Sequence, residues 1–443
     1  MGECPPRALS ATASQMRESA RRFAKACCPH GVPTKAVRPI SGACKGRAMF
    51  SAKTRFETAD NAISRHLAAR RARSLPVLDL TESNPTSQPT IAPSADFLNR
   101  CLFDERVHLY APDPCGLPET RQAIARDYAE HGIDLSPERI IVTASTSEAY
   151  AYLFKLLANP GDELLAPAPS YPLFEFLAGL ESLCLGFYRL GYDGEWFIDF
   201  GALEEAITPR TRAIIAVSPG NPTGAYLKRG ELDRLSELCA RRDLALICDE
   251  VFFDYALDVN TGDIACALAD CQGDCLRFVL GGLSKTALAP QIKVGWLAVR
   301  GPDDLVAESL RRLEVIADAY LSASTPAQLA LPRILAARPS IQSAMHHRLR
   351  HNLDALKAFH RGHPSAAWQP LRVEGGWNAV LRLPRTRSEE SWVLSLLDEA
   401  GVLVHPGYFF DFPEEAFVTV SLLVAPEVLL EGLAALDAHV GQG

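Results

Sequence analysis

The sequence predicts an α/β fold built around a mostly parallel sheet, and two observations carry that prediction. Short aliphatic runs alternate along the chain with segments of helical periodicity, the pattern of repeated βαβ units. The runs at 213–217, 244–247 and 278–280 are apolar almost throughout, as strands covered on both faces are. Each run ends in a polar or turn-prone segment: Ser218-Pro219-Gly220-Asn221-Pro222-Thr223-Gly224, then Cys248-Asp249-Glu250, then Gly282-Leu283-Ser284-Lys285. Open α/β sheets bind ligands beyond the carboxyl ends of their strands, so these three ends form a candidate site.

The elements follow in order. A basic amphipathic helix is predicted over 59–73, ending before Pro76, with a short strand at 77–80 and the turn-rich Ser83-Asn84-Pro85-Thr86-Ser87 after it. Residues 109–116 read as loop and 117–131 as helix. The run 139–143 reads as a strand that breaks into Ser145-Thr146-Ser147-Glu148, the opening of an apolar helix to residue 157. Asn159-Pro160-Gly161-Asp162 stops that helix. Strand and helix then alternate through 163–166, 172–180, 213–217, 230–241 and 244–247. Beyond about residue 331 the pattern changes: a long helical stretch through Asp354 leads to Gly375-Gly376-Trp377-Asn378 and a strand, and another strand candidate covers 417–423. This suggests a smaller α+β domain. The domain expectation is an extension at 1–48, a segment at 49–95 packing with the small domain, a large domain at 96–330 and a small one at 331–443.

Composition narrows the function classes. The 443 residues are 48% apolar and 22% charged with a formal net charge of -8, as in an ordinary globular protein. An acidic chain gives no reason to expect nucleic acid as a partner. No uninterrupted apolar stretch reaches the roughly 18 residues of a membrane span. Cys266, Cys271 and Cys275 fit no common zinc spacing, so no metal is expected. Thiols predicted inside core elements point to a cytoplasmic protein. The first 48 residues hold two acids, Glu3 and Glu18, against nine Lys or Arg. That bias resembles a transit peptide, but a disordered extension, or a start upstream of a true Met49, is the plainer expectation.

Taken singly, each candidate residue has an ordinary explanation. Ser145-Thr146-Ser147-Glu148 is a capping box as well as a possible phosphate cup. Asn221 could simply make an Asn-Pro-x-Gly turn, Asp249 could be exposed, and Lys285 could face solvent. Together and in this order they suit pyridoxal 5'-phosphate (PLP). A lysine forms its Schiff base, a carboxylate pairs with its pyridinium nitrogen, and an amide can donate to its ring oxygen.

With these residues the chain resembles the class I/II aminotransferases of the fold-type I PLP-dependent enzymes, over roughly 60–435. The resemblance rests on the segment from Tyr110 to Gly116 with Arg121, the turn from Thr143 to Glu148, Pro169-Ser170-Tyr171-Pro172, Asn221-Pro222-Thr223-Gly224, Asp249-Glu250-Val251, Ser284-Lys285, and Val404-His405-Pro406-Gly407. It implies a large domain with a mostly parallel seven-stranded sheet plus a smaller α+β domain. It also implies that Lys285 carries the cofactor and moves the substrate proton, with Asp249 on the ring nitrogen. Tyr171 would stack on the ring and Asn221 would donate to its oxygen. Thr146, Ser147, Ser284 and Lys293 would hold the phosphate, joined by Tyr110 of a neighbouring subunit in a homodimer. The reaction implied is ping-pong transfer between a small-molecule amino donor and a 2-oxo acid. Ser83, Asn84, Trp377, Asn378, Tyr408 and Thr419 are the expected substrate contacts.

Four departures from the family pattern stand out. Phe252 replaces the tyrosine of Asp-x-x-Tyr, Gly282 replaces the first serine of Ser-x-Ser-Lys, and Lys293 stands where an arginine usually binds phosphate. Thr419 in Phe417-Val418-Thr419-Val420-Ser421 occupies the place of the arginine that clamps a substrate carboxylate. A PLP lyase or decarboxylase, or a homologue without turnover, therefore remains an alternative to the aminotransferase.

Overall fold

The computed structural model describes residues 51–54, 61–88 and 90–442, so the 1–48 extension and the predicted helix start at 59 lie outside the described residues. In chain order the strands are β1 (Leu78–Asp79), β2 (Ile140–Thr143), β3 (Glu163–Ala168), β4 (Cys184–Tyr192), β5 (Trp196–Ile198), β6 (Thr211–Val217), β7 (Ala245–Asp249), β8 (Arg277–Gly282), β9 (Gly295–Arg300), β10 (Gln369–Pro370), β11 (Asn378–Arg382), β12 (Val402–Leu403), β13 (His405–Pro406) and β14 (Phe417–Ser421).

The main sheet has the order β2-β9-β8-β7-β6-β3-β4-β5. The pairs β8·β7, β7·β6, β6·β3 and β3·β4 are parallel, whereas β9 runs antiparallel to both β8 and β2. The sheet thus carries one strand beyond the expected seven. The addition is β5, three residues that turn back on the far end of β4 through Asp193 and Gly194. The central strands are aliphatic because helices cover both faces. Leu246 and Cys248 of β7 pack into one apolar cluster and Ile247 into another, all fully buried. Each such aliphatic side chain contributes about 1.5–3 kcal/mol of burial.

A second, four-stranded sheet has the order β10-β11-β14-β13 and is antiparallel throughout. It packs with the helices Arg338–Gly362 and Pro426–Val440 in a third apolar cluster. The helical stretch predicted to reach Asp354 extends to Gly362 and is interrupted at Ala337, where the preceding helix Thr325–Ala336 ends. Ile63, Leu80 and Ile91 belong to that same third cluster, and β1 pairs in parallel with β12. The predicted basic helix spans Ala62–Ala72, capped by Asn61 Oδ1 accepting from Ser64 N–H. Among the described residues no helix is long and apolar enough to cross a membrane.

Candidate active site

The sheet registers bring the three motif-bearing strand ends to one level. Val217 of β6 lies opposite Asp249 of β7, and Asp249 lies opposite Leu280 of β8. Backbone bonds continue the alignment past the strands: Ser218 N–H donates to Asp249 O (2.9 Å) and Glu250 N–H to Leu280 O (3.1 Å). A second row, Thr143–Gly295–Gly282, runs across β2, β9 and β8. It places the start of the helix Thr146–Leu157 beside the turn that carries Lys285. The row depends on glycine. A Cβ on Gly295 would come within 2.8 Å of Ser145 C and 2.9 Å of Thr146 N, backbone that cannot yield. Gly282 is also confined, since its Cβ would meet Val294 O at 3.2 Å.

Asp249 is buried, with one oxygen accepting from Tyr150 O–H (3.0 Å) and the other from Val251 N–H (3.1 Å). Burial pushes its carboxyl up to about 6, and these two bonds and the Lys285 charge hold it from rising further. Lys285 is half-buried, its Nζ 4.8 Å from the Trp377 ring centroid and 5.4 Å from that of Phe252. Desolvation draws the amine down to about 8, against the pull of Asp249. Glu250 turns away from this site. Its carboxylate accepts from Ala267 N–H (2.7 Å) and Cys266 Sγ (3.0 Å), and burial pushes it up to about 7.

Ser145, rather than Thr146 or Ser147, caps the helix, accepting from Glu148 N–H at 3.2 Å, while Glu148 accepts from Ala144 N–H at 2.6 Å. Among the described residues no hydrogen bond engages the Thr146, Ser147 or Ser284 hydroxyls, and no ion pair engages Lys293. Lys293 has φ of +60°, a left-handed conformation unfavourable for a lysine. These free donors at a helix N-terminus fit a phosphate. The buried carboxylate facing a desolvated amine fits a pyridine ring that bonds to both. The chemistry of the donor set therefore matches PLP.

Tyr171 is 43% exposed and stands edge-on to Phe174. Asn221 Oδ1 accepts from Asn378 Nδ2 at 3.0 Å. Trp377 is buried between Phe252 and Tyr255, with ring centroids at 5.0 and 5.4 Å. Thr419 is buried in β14 opposite Val380 and His405, and its hydroxyl has no partner. Other expected residues are engaged elsewhere or exposed. The Asn84 Oδ1 caps its own short helix through Thr86 N–H, and Ser83 is exposed. Tyr408 gives its N–H to Glu389 and packs against Phe409. Tyr110 is 86% exposed.

Two contributors escaped the sequence reading. Tyr150 lies four residues after Thr146, and helical period alone could have aimed it past the cup toward the strand ends. Tyr255 gives its hydroxyl to Lys285 O (2.6 Å), a contact between distant segments that no local pattern announces.

The family described as aminotransferase class I and II matches residues 78–436. Glutamate-pyruvate aminotransferase AlaA of Escherichia coli (strain K12) is 33% identical over 230 residues, 52% of this chain and 56% of that protein. The chain thus spans about half the length of that relative. Human tyrosine aminotransferase is 25% identical over 379 residues, covering 83% of this chain and 81% of its own. Among solved structures, an alanine aminotransferase from Pyrococcus furiosus superposes with a TM-score of 0.78 at 23% identity, over 86% of this chain and 96% of that one. A Leishmania infantum tyrosine aminotransferase gives 0.75 at 20% identity, over 87% and 98%. The structures establish the fold-type I architecture, and the family match runs through every strand of both larger sheets. On that match the chain belongs to the aminotransferase class I and II family.

Proposed function

We propose that the chain is a PLP-dependent aminotransferase that moves an amino group from a small-molecule donor to a 2-oxo acid. The observation that carries this reading is the placement of Asp249 and Lys285 at adjacent, level strand ends, each with its protonation displaced toward neutrality. Bound PLP supplies an electron sink for the carbanion left when the substrate Cα loses its proton. Lys285 is the Schiff-base lysine, and an amine drawn toward neutral is suited to taking and returning the Cα proton. Asp249 holds a proton on the ring nitrogen, steadied by Tyr150. Asn221 donates to the ring oxygen and Tyr171 covers the ring. Thr146, Ser147 and Ser284 give hydroxyls to the phosphate, with Lys293 as a point charge rather than a bidentate fork.

The same reading includes a homodimer in which Tyr110 serves the partner's phosphate. Exposed Phe103, Val107, Leu109 and Tyr110 crowd one short segment, as an interface surface would. It includes a large domain at 96–330 and a small one at 331–443 joined by 49–95, supported by the apolar cluster that Ile63 and Leu80 share with the C-terminal helices. It also includes a cytoplasmic setting, supported by free cysteines such as Cys239, Cys248 and Cys275.

Reconstitution tests the reading. The protein with PLP should show a visible absorbance band that borohydride bleaches while fixing the cofactor to Lys285, and an amino donor should convert the cofactor to its amine form. Lys285→Ala should lower transfer by at least about 10²-fold. Absence of the band, or full transfer by that variant, would sink the proposal.

A further inference from the structure

We infer that Asn378 is a positioning residue: it holds the Asn221 amide in the one orientation that presents an N–H, rather than a carbonyl, to the cofactor's ring oxygen. The inference rests on the PLP reading above and extends it to a residue first expected to touch substrate.

A side-chain amide can face either way at little cost unless a neighbour distinguishes its oxygen from its nitrogen. Here the neighbour is Asn378, whose Nδ2 donates to Asn221 Oδ1 at 3.0 Å. With that oxygen engaged, Asn221 Nδ2 is the atom left to donate. The choice matters more in this chain than it would beside a tyrosine at position 252. Phe252 has no hydroxyl, and the nearest downstream phenol, Tyr255, spends its O–H on Lys285 O. The Asn221 amide is therefore the clearest donor for a ring oxygen, and a flipped amide would oppose its lone pairs to that oxygen's charge.

Asn378 is itself held by a strap at 374–378 that is tied to both flanking motifs. Gly375 N–H donates to Gly224 O (2.9 Å), at the end of the Asn221 turn, and Gly376 N–H to Tyr255 O (3.0 Å), beside the lysine turn. The approach is close enough to require glycine on both sides. A Cβ on Gly224, at φ +70°, would meet Gly375 O at 2.6 Å, and one on Gly375 would meet Tyr255 O at 2.6 Å. On the other flank Leu422 N–H donates to Trp377 O (2.8 Å), and Asn378 opens β11 in register with Ser421. The Asn378 backbone is therefore held by bonds to two sheets before any ligand arrives.

The test is a spectroscopic titration of the PLP-loaded full chain. A donor on the ring oxygen stabilises its deprotonated form, so the pH midpoint of the visible band reports the Asn221 orientation. Asn378→Ala should move that midpoint upward, by no more than the roughly one pH unit that losing the Asn221 charge-assisted bond itself would give. Asn378→Leu, which preserves bulk, should do the same and covers the case in which the alanine variant folds poorly. Asn221→Ala should also move it upward, and adding Asn378→Ala to that variant should move it no further, because the second residue acts only through the first. An unchanged or lowered midpoint in both Asn378 variants, or additive shifts in the double variant, overturns the inference. A wild-type chain that shows no visible band at all overturns the PLP reading as well, which separates the two failures.

Discussion

Tyr150 donates its hydroxyl to Asp249 Oδ2 over 3.0 Å, linking the helix Thr146–Leu157, one turn in from its start, to the end of β7. One helix thus serves two parts of the candidate site, its N-terminal N–H groups toward a phosphate and its Tyr150 toward the acid. A hydrogen bond to a charged group contributes about 1.5–3 kcal/mol, so Tyr150→Phe should weaken PLP affinity by about tenfold or more. Fluorescence titration of the cofactor-free protein measures this; unchanged affinity would show that Asp249 needs no second-side support.

The Lys285 amine predicts a pH dependence of stability. Its value in the fold is drawn down to about 8 from the ordinary 10.5. Its contribution is therefore present above the ordinary value and lost as pH falls through about 8. Lys285→Met should raise the melting temperature of the cofactor-free protein near neutral pH, with the gain shrinking as the solution becomes strongly alkaline. Asp249 behaves oppositely. Its raised carboxyl contributes below the ordinary 3.8 and loses that contribution as pH rises through about 6. Asp249→Asn should thus stabilise the cofactor-free protein above that range, as thermal melts would register, while abolishing transfer.

Phe252 lies 5.4 Å from Lys285 Nζ and is buried against Trp377. Phe252→Tyr would add a phenol near the ring oxygen, so the visible-band midpoint should fall by about one pH unit. An upward shift would place the new hydroxyl elsewhere.

Thr419 carries a buried hydroxyl without a partner. Thr419→Val should therefore stabilise the free protein by about 1 kcal/mol, read from denaturant unfolding. If that hydroxyl meets substrate, the same variant should raise KM while leaving cofactor affinity alone. Thr419→Arg should destabilise the free protein, because it places a charge at a buried β14 position where the present hydroxyl has no partner, and it should not bring broad amino acid activity. A large rate gain with alanine or aspartate would contradict this.

Several elements were legible residue by residue. The aliphatic runs 213–217, 244–247 and 278–280 mark strands that end at Val217, Asp249 and Gly282, because strands covered on both faces are apolar along most of their length. The Ser145 cap was legible because its signal spans only four residues. By contrast β5 is a single three-residue run, too short to show a strand period, even though Asp193-Gly194 before it is a common hairpin turn pair.

The sequence by itself determined the strand–helix alternation, the order of Asn221, Asp249 and Lys285, and the family those motifs mark. Such features are written in local periodicity and short spacing, which survive without knowledge of what lies opposite. Tertiary structure decided which of the singled-out residues meet. It turned Glu250 away from the site and brought Tyr150 onto Asp249. It committed Asn84 to its own turn and set Asn378 against Asn221. Those outcomes depend on sheet register and on glycine-permitted close approach between segments up to 157 residues apart, and a contact of that range leaves no periodic trace in the chain.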